Sequence, residues 1–180
     1  MINNFKFNKK EQEKFQSQLK RVKVQMEARK REKIVPFRNV IVEGLPFAII
    51  CDIDGTLSNR GERAPLDFEK VNEDIIHEPV KEILQDIILH GKHKIIIVSG
   101  RSVISKAKTI AWLKDNEIPF DEIYMRGIGD ERVPEEVKRE FYMINIQPRY
   151  NIDFAIEDDR NVKKMWVESG IFVFDVNQTN

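Results

Sequence analysis

The chain has 180 residues, of which 33% are charged and 41% hydrophobic, which fits one ordinary soluble domain with some extension. No apolar run is long enough to cross a membrane, and the polar, basic N-terminus is unlike a signal peptide. The single cysteine, Cys51, excludes an internal disulfide and suits a reducing compartment. A cytoplasmic protein without membrane contact is therefore expected.

The net charge of zero hides two regions of opposite sign. Residues 1–46 carry 12 basic and 5 acidic side chains, a net of +7, and residues 47–180 carry a net of −7. Regions of opposite sign in one chain indicate two parts with different surroundings. The predicted division is a basic helical extension with its linker, residues 1–45, followed by one folded domain, residues 46–180.

The basic extension is predicted to contain a long helix. From residue 8 to about residue 33 the chain has no Gly or Pro and is rich in Lys, Gln, Glu and Arg, which favour helix. Apolar residues recur along it at coiled-coil spacing; they are Phe15, Leu19, Val22 and Met26. Three uses stay open for helix 8–33: association with a second copy or a partner protein, contact with nucleic acid, or no role.

Apolar runs and helical patterns alternate after residue 46, which predicts βαβ units in an α/β fold with helices on both faces of a parallel sheet. The predicted strands lie near residues 47–51, 94–98, 122–125, 152–157 and 171–175. The predicted helices lie near residues 79–90, 103–116, 134–146 and 160–169. Residues 58–77 follow the first strand without a clear period, and they are too few for a separate domain, although a flap over a site fits their position.

The most informative stretch follows the first predicted strand. An apolar run through Cys51 ends in two carboxylates one residue apart, Asp52 and Asp54, and then in Gly55 and Thr56. Because ligands bind outside the carboxyl ends of parallel strands, both acids are expected at the mouth of a site. Two adjacent carboxylates repel each other unless a cation lies between them, and Mg²⁺ prefers such oxygen ligands. The stretch predicts a magnesium and phosphate site, with an acidic turn as the alternative.

Two other predicted strands also end in polar groups. The second strand runs into Ser99, Gly100 and Arg101, where a hydroxyl, backbone amides and a guanidinium suit a phosphate. The fourth strand runs into three consecutive acids, residues 157–159, which need a compensating charge such as a metal shared with Asp52. An ordinary turn and an acidic helix N-terminus are the respective alternatives.

The order of these segments resembles the haloacid dehalogenase (HAD) superfamily of phosphotransferases. The resemblance is carried by Asp-x-Asp-Gly-Thr, then Ser-Gly-Arg, then Lys138, then an acidic pair. It implies a HAD-like, Rossmannoid fold with a minimal cap insertion, and Mg²⁺ as cofactor. It also implies Asp52 as nucleophile and Asp54 as general acid/base, with Ser99 and Lys138 holding the phosphoryl group. Asp158 would complete the metal site with Asp52 and the Asp54 carbonyl oxygen.

A narrower resemblance, over roughly residues 40–176, is to the 3′-phosphatase domain of phage polynucleotide kinase/phosphatase. It is carried by Arg63 after the first motif, by the Gly-Asp-x-Arg segment at residues 129–132, and by Met165-Trp166. It implies a 3′-phosphorylated DNA or RNA end as substrate. The residues that it implies in substrate binding are Thr56, Arg63, Gly100, Arg101, Arg126, Asp130 and Arg132.

The chain departs from that family at one position near the motif lysine. The family has an acid four residues before this lysine, whereas this chain has Pro134, so the role of that carboxylate falls to Glu135 or Asp130 or is lost. The kinase half is absent as well, because no Gly-x-x-x-x-Gly-Lys-[Ser/Thr] motif occurs in the 180 residues. ATP-dependent 5′ phosphorylation is therefore not expected of this chain.

The acidic pair itself can be matched to the family in two registers. If Glu157 and Asp158 are the pair, the spacing to Trp166 is that of the family. If Asp158 and Asp159 are the pair, Arg160 follows them directly, as an arginine does in the family. The spacing favours the first register, and the second stays open.

Three functions compete on this sequence. The leading hypothesis is a Mg²⁺-dependent phosphomonoesterase that removes 3′-phosphate from polynucleotide ends through an aspartyl-phosphate, without a kinase domain. The second is a HAD phosphatase that acts on free nucleotides or other small phosphomonoesters. The third is a catalytically weak adaptor that associates through helix 8–33, against which the intact motifs argue.

Overall fold

The computed structural model describes residues 40–64 and 67–176, together with Ser17 and Lys20, both helical. The predicted helix over residues 8–33 otherwise lies outside the described residues, and the association suggested for it stays a prediction. Within the described part of the chain, no helix combines the length and the apolar character that a bilayer span requires.

A parallel sheet forms the centre of the described domain. The strands are β1 (Phe47–Cys51), β2 (Ser58–Asn59), β3 (Ile75–Ile76), β4 (Lys94–Ser102), β5 (Glu122–Arg126), β6 (Asn151–Glu157) and β7 (Phe172–Asp175). Five of them pair in the order β5-β4-β1-β6-β7, all parallel, while β2 and β3 form an antiparallel hairpin. The predicted α/β fold with a parallel sheet is confirmed.

The register of the sheet brings three strand ends together. Cys51 of β1 is aligned with Ile97 of β4 and with Ile156 of β6. The polar residues that follow these three positions therefore reach the same edge of the sheet. This is the edge at which parallel α/β sheets bind ligands.

Helices cover both faces of the sheet. They are α1 (Glu78–His90), α2 (Lys106–Asp115), α3 (Pro134–Phe141) and α4 (Arg160–Glu168), with 3₁₀ turns at Phe68–Glu73 and Val103–Ser105 and a π-helical turn at Tyr142–Ile146. These bounds lie within a few residues of the predicted ones, except that each of the predicted helices 103–116 and 134–146 consists of two different helical types. The first begins as a 3₁₀ turn, and the second changes to π-helical pairing after Phe141.

Alternating residues of β1 divide the core between the two faces. Ala48 and Ile50 belong to the core on one face, and Ile49 and Cys51 pack with Leu84 on the other. All five side chains are almost completely buried, which explains why β1 is apolar throughout. The rigid strand fixes the direction in which the residues after Cys51 leave the sheet.

The chain divides into two units, residues 1–36 and 37–180. Within the second unit, the buried side chain of Asn151 joins the segment before β1 to the start of β6. Its Oδ1 accepts from Val42 N at 2.8 Å, and its Nδ2 donates to the carbonyl oxygens of Val42 and Leu45, each at 2.9 Å. The predicted domain boundary at residue 45 stays a prediction.

The segment after the first motif folds as a short flap. Among the described residues of 58–77, the regular elements are the two-residue strands β2 and β3 and a 3₁₀ turn, which agrees with the absence of a regular period in this part of the sequence. This small insertion agrees with the minimal cap expected from the HAD resemblance.

Candidate active site

The turn after β1 places two carboxylates at the sheet edge. Asp52 donates its backbone N–H to Ile156 O at 3.1 Å, which keeps it in line with β6. The chain then turns over Ile53, whose carbonyl oxygen accepts from the amides of Thr56, Leu57 and Ser58. As a result Asp52 is almost fully buried on the floor of the site, while the Asp54 side chain is 30% exposed at its wall.

Lys138 lies between two buried acids. Its Nζ donates to Asp52 Oδ1 at 2.6 Å and to Glu157 Oε2 at 2.8 Å, so the helix α3 delivers a cation to the ends of β1 and β6. Burial raises the pKa of Asp52 well above its usual range, and Lys138 offsets only part of that rise. Burial would lower the pKa of Lys138, yet the two carboxylates raise it. One ammonium beside two buried carboxylates leaves a demand for further positive charge.

The residues at this edge fit a hard divalent cation. Oxygen atoms of Asp52, Glu157 and Asp158 all lie within 4.8 Å of one another. The Thr56 hydroxyl donates to Asp158 Oδ1 at 2.9 Å, which orients that carboxylate. An all-oxygen donor set with excess negative charge is what Mg²⁺ prefers. Of the predicted metal ligands, the structure brings Asp52 and Asp158 together with Glu157.

Asp159 is used differently from its two neighbours. Its Oδ1 accepts from Asn161 N at 2.8 Å and from Val162 N at 2.9 Å, so the carboxylate caps the N-terminus of α4. Glu157 instead bonds Lys138 inside the core and is 1% exposed. The cluster of carboxylate oxygens contains Glu157 and Asp158 but not Asp159, which favours the first of the two registers, and the match to the family stays a prediction.

Gly55 leaves room for Asp158, and adding a methyl group there is expected to disturb the cation site. Gly55 has φ +88°, and a Cβ atom at this position would lie 2.1 Å from Asp158 Oδ2. Gly55→Ala should therefore displace that carboxylate and weaken Mg²⁺ binding roughly tenfold or more, in the range seen when ligand orientation is lost. Calorimetric titration of the protein with Mg²⁺ measures the change.

Gly44→Ala is the matched control for this substitution. Gly44 has φ +86°, but among the described residues, its two chain neighbours apart, no heavy atom lies within 4 Å of the position that a Cβ would take there. The variant carries the same backbone strain, roughly 1–2 kcal/mol for an L-residue in the left-handed region, without the collision. Equal Mg²⁺ affinity in the two variants would show that Asp158 does not hold the ion.

Asp54 is held by a buried cluster of charges. Arg101 donates to its Oδ2 from Nε at 2.8 Å and to its Oδ1 from Nη2 at 2.9 Å, and Arg63 donates to Oδ1 from Nη2 at 3.0 Å. Both arginines also bind Asp74. Arg63 donates to its two carboxylate oxygens at 2.6 and 2.8 Å, and Arg101 donates to it from Nη2. Burial alone would raise the pKa of Asp54, but the guanidinium groups of Arg101 and Arg63, and to a smaller extent that of Arg60, lower it.

This cluster gives Arg101 protein partners and shows that Asp74 belongs to the site, while the contact of Arg101 with phosphate stays a prediction. Arg101 is 2% exposed, and its guanidinium bonds carboxylates and Ser58 Oγ, whereas the sequence pattern suggested a fork onto phosphate. Asp74 has a fully buried side chain and was not singled out by the sequence. It lies in the flap, where no periodic pattern marks it as a site residue.

Ser99 and Gly100 lie beside this cluster. Strand β4 continues through both residues to Ser102, and its pairing with β5 shifts register between Ser99 and Ser102. The turn from strand to helix, which the sequence predicted at Ser99 and Gly100, therefore lies after Ser102. The buried Ser99 Oγ accepts from Arg101 N at 3.2 Å, while Gly100 lines the cleft that opens over the carboxylates.

The segment after β5 forms a network of its own. Arg126 donates from Nε to Gly100 O at 3.0 Å and from Nη1 to the carbonyl oxygens of Asp130 and Arg132. Arg132 bonds Asp130 at 2.6 Å and Glu140 at 2.5 Å, and its hydrogen bonds lower the pKa of Asp130 to about 2. The substrate contacts predicted for this segment stay predictions, since these donors stabilise the loop itself.

The cleft over the carboxylates has a volume of about 590 Å³. Its lining residues are Asp52, Asp54, Gly55, Asn59, Arg60, His77, Gly100, Pro134, Lys138, Glu157, Asp158, Asp159 and Val162. Pro134 lies there in place of the acid of the related family, and neither Glu135 nor Asp130 lines the cleft. Asn59, Arg60 and His77 were not identified from the sequence, because only the folding of the flap brings them to the site.

An Asp-x-Asp turn after the central parallel strand, facing a buried lysine and an acidic pair, defines a phosphatase of the HAD class. The family model for the polynucleotide kinase PNKP phosphatase domain matches residues 46–180. The chain belongs to this family, and the domain is a phosphoric monoester hydrolase.

Known relatives agree with this assignment. The chain is 29% identical over 134 residues to a putative bifunctional polynucleotide kinase/RNA ligase of Autographa californica nuclear polyhedrosis virus, covering 73% of this chain and 19% of that protein. It is 30% identical to a chain of the Pnkp1/Rnl/Hen1 RNA repair complex, with a TM-score of 0.75, covering 81% of this chain and 47% of that one. The chain thus spans less than half of either relative.

A more distant structure shares the fold. The class C acid phosphatase from Bacillus anthracis with tungstate bound is 16% identical, with a TM-score of 0.50, covering 86% of this chain and 72% of that one. Together with the repair-complex neighbour, it confirms the HAD-like fold expected from the sequence.

Proposed function

We propose that this domain removes the 3′-phosphate from polynucleotide ends, with Mg²⁺, through a covalent aspartyl-phosphate on Asp52. The observation that carries the proposal is the different environment of the two motif carboxylates. Asp52 lies buried against Lys138, whereas Asp54 is held apart by Arg63 and Arg101. Two carboxylates with separate partners suit two separate chemical duties.

In the first step a carboxylate oxygen of Asp52 attacks phosphorus and the bond from phosphorus to the 3′ oxygen breaks. Asp54 donates a proton to that leaving oxygen, and Lys138 neutralises charge on the attacking carboxylate and the phosphoryl oxygens. In the second step Asp54 takes a proton from water, the water oxygen attacks phosphorus, and the bond to Asp52 breaks. Inorganic phosphate and the free 3′ hydroxyl are the products.

The arginines around Asp54 determine when it can carry a proton. Arg101 and Arg63, and to a smaller extent Arg60, favour its ionised form. A phosphate that enters the cleft brings negative charge close to Asp54, which favours protonation of that carboxylate. Arrival of substrate therefore moves Asp54 towards the acid form that the first step needs.

Asp52, Glu157 and Asp158 would hold the Mg²⁺ ion. When bound, the ion supplies the positive charge that lets an anionic carboxylate approach an anionic phosphoryl group.

The polynucleotide end as substrate is supported by the family assignment. A relative bears the name polynucleotide kinase/RNA ligase, and a structural neighbour belongs to an RNA repair complex. RNA 3′ ends are therefore the first substrates to test, with DNA ends beside them. A free nucleotide or another small phosphomonoester is the second candidate, because the short flap leaves the cleft open for small substrates.

The test is phosphate release by the full chain from 3′-phosphorylated RNA and DNA oligonucleotides, compared with a 3′-mononucleotide and para-nitrophenyl phosphate. We expect kcat/KM to be highest on an oligonucleotide. Chelation with EDTA should abolish turnover and added Mg²⁺ should restore it, since the buried acids otherwise lack sufficient positive charge. A preference for the mononucleotide would favour the second candidate, and full activity in EDTA would contradict the metal requirement.

A further inference from the structure

The cations around the site are almost all bonded to protein groups. Each of the following has a carboxylate or carbonyl partner within the described residues: Arg63, Arg101, Arg126, Arg132 and Lys138. A guanidinium that is already bonded to buried carboxylates would have to break those bonds before it could bind a nucleic-acid strand. Arg101 keeps one nitrogen, Nη1, without a partner among the described residues, but its side chain is only 1% exposed. Recognition of nucleic acid beyond the reacting phosphate thus needs an exposed cation with free donors.

Arg60 is such a cation. It lines the cleft and its side chain is exposed. Its charge acts on Asp54 through space, but no hydrogen bond or ion pair joins its guanidinium to any residue of the described ranges 40–64 and 67–176, so its donors are available. Lys138, in contrast, is 3% exposed on the floor of the same cleft. Arg60 therefore lies towards the mouth, where the rest of a substrate would leave the site.

The turn that carries Arg60 is tied to the catalytic floor. Asn59 Oδ1 accepts from Gly61 N at 2.8 Å, and Arg60 O accepts from Arg63 N at 3.1 Å. The side chain of Arg63 is in turn anchored on Asp54 and Asp74. These bonds hold the backbone of Arg60 at a fixed place beside the cleft, so little backbone order is lost when a ligand binds.

The charge at the mouth also favours this use. The acids that line the cleft are Asp52, Asp54, Glu157, Asp158 and Asp159, against the two cations Lys138 and Arg60. A polynucleotide end carries a second negative phosphate beyond the reacting one, and that phosphate would be repelled here without a local cation. A guanidinium can bind phosphate oxygens through two parallel hydrogen bonds.

We propose that Arg60 binds the phosphodiester that precedes the terminal nucleotide and so selects a polynucleotide 3′ end over a free 3′-nucleotide. Asn59 also lines the cleft. Its oxygen accepts from Gly61, while its amide nitrogen has no partner among the described residues and would supply a second donor. This assignment rests on the proposed phosphatase function and adds the residue that gives it its substrate class.

Arg60→Ala tests the assignment, with Arg60→Lys and Lys114→Ala beside it. Lys114 is an exposed lysine away from the cleft, so Lys114→Ala removes one positive charge, as Arg60→Ala does, without changing the cleft. In Arg60→Ala, the ratio of kcat/KM on a 3′-phosphorylated oligonucleotide to that on the 3′-mononucleotide should fall roughly tenfold, the effect of losing one charge-assisted contact. Arg60→Lys should recover part of the loss, and Lys114→Ala should keep the wild-type ratio.

Binding gives a readout that does not depend on turnover. In an Asp52→Asn background, fluorescence anisotropy measures the affinity for the 3′-phosphorylated oligonucleotide at several salt concentrations. Adding Arg60→Ala should lower the slope of log K against log salt by about 0.7, the value for one phosphate contact on a single strand. Adding Lys114→Ala should leave it unchanged.

Three outcomes are distinguishable. An equal loss on oligonucleotide and mononucleotide would overturn the assignment, because Arg60 would then act on the reacting phosphate. An unchanged ratio together with an unchanged salt slope would overturn it as well. If the wild-type chain hydrolyses only small phosphomonoesters, the proposed polynucleotide function itself fails, whatever Arg60 does.

Discussion

Replacing Asp52 with Asn is expected to lower turnover by roughly a thousandfold or more, as removal of a catalytic nucleophile does in other enzymes. An amide cannot take the phosphoryl group from the substrate. The fold should survive, because Asn fills nearly the same volume and Lys138 still pairs with Glu157 at 2.8 Å. Asp52→Asn breaks the buried ion pair with Lys138 at 2.6 Å, but Glu157 keeps that ammonium paired, so any loss of stability should be smaller than the loss expected when a buried charge is left without a partner.

The measurements are kcat on a 3′-phosphorylated oligonucleotide and the free energy of unfolding in urea. Asp115→Asn, at the exposed end of α2, is the matched control and should keep wild-type turnover. In the wild-type protein, rapid acid quenching followed by mass spectrometry should find one phosphoryl group on the peptide that contains Asp52. Normal turnover by Asp52→Asn would contradict covalent catalysis at this residue.

The parts of the site that follow buried strands could be predicted from the sequence. Five apolar runs separated by helical patterns determine a parallel sheet, and a parallel sheet brings its carboxyl strand ends to one edge. This reasoning places Asp52, Ser99 and Glu157 close together without any side-chain detail. Lys138 needed the family resemblance as well, because a lysine on a helix carries no local signal that it will be buried.

The parts that depend on long-range partners could not be predicted. Asp74 lies in the flap, where neither periodicity nor a motif indicates burial, and its partners are 11 and 27 residues away along the chain. For Arg101, a pattern identifies a guanidinium at the site but cannot say whether a phosphate or a carboxylate binds it, since both accept the same forked hydrogen bonds. Arg60 was missed because exposed arginines are common and only the folded turn places this one at the cleft.

Replacing Asp74 with Asn is expected to destabilise the domain by about 3–5 kcal/mol, the usual effect of removing one partner from a buried ion pair. Asp74 has a fully buried side chain, and the side chains of Arg63 and Arg101 are only 3% and 1% exposed. Without it, two buried guanidinium groups share the single carboxylate of Asp54. Turnover should fall as well, because both arginines then hold Asp54 more strongly in the ionised form and hinder its role as an acid.

Urea unfolding followed by tryptophan fluorescence suits this test, since Trp112, one of two tryptophans in the chain, donates from Nε1 to Asp74 O at 2.8 Å. Asp67→Asn is the matched control on the same flap, because Arg63 contacts only the backbone oxygen of Asp67, at 3.4 Å. A double-mutant cycle between Asp74→Asn and Arg63→Met measures the coupling directly. A coupling energy near zero would mean that the flap is held by its packing, and that the charge cluster does not set the position of Asp54.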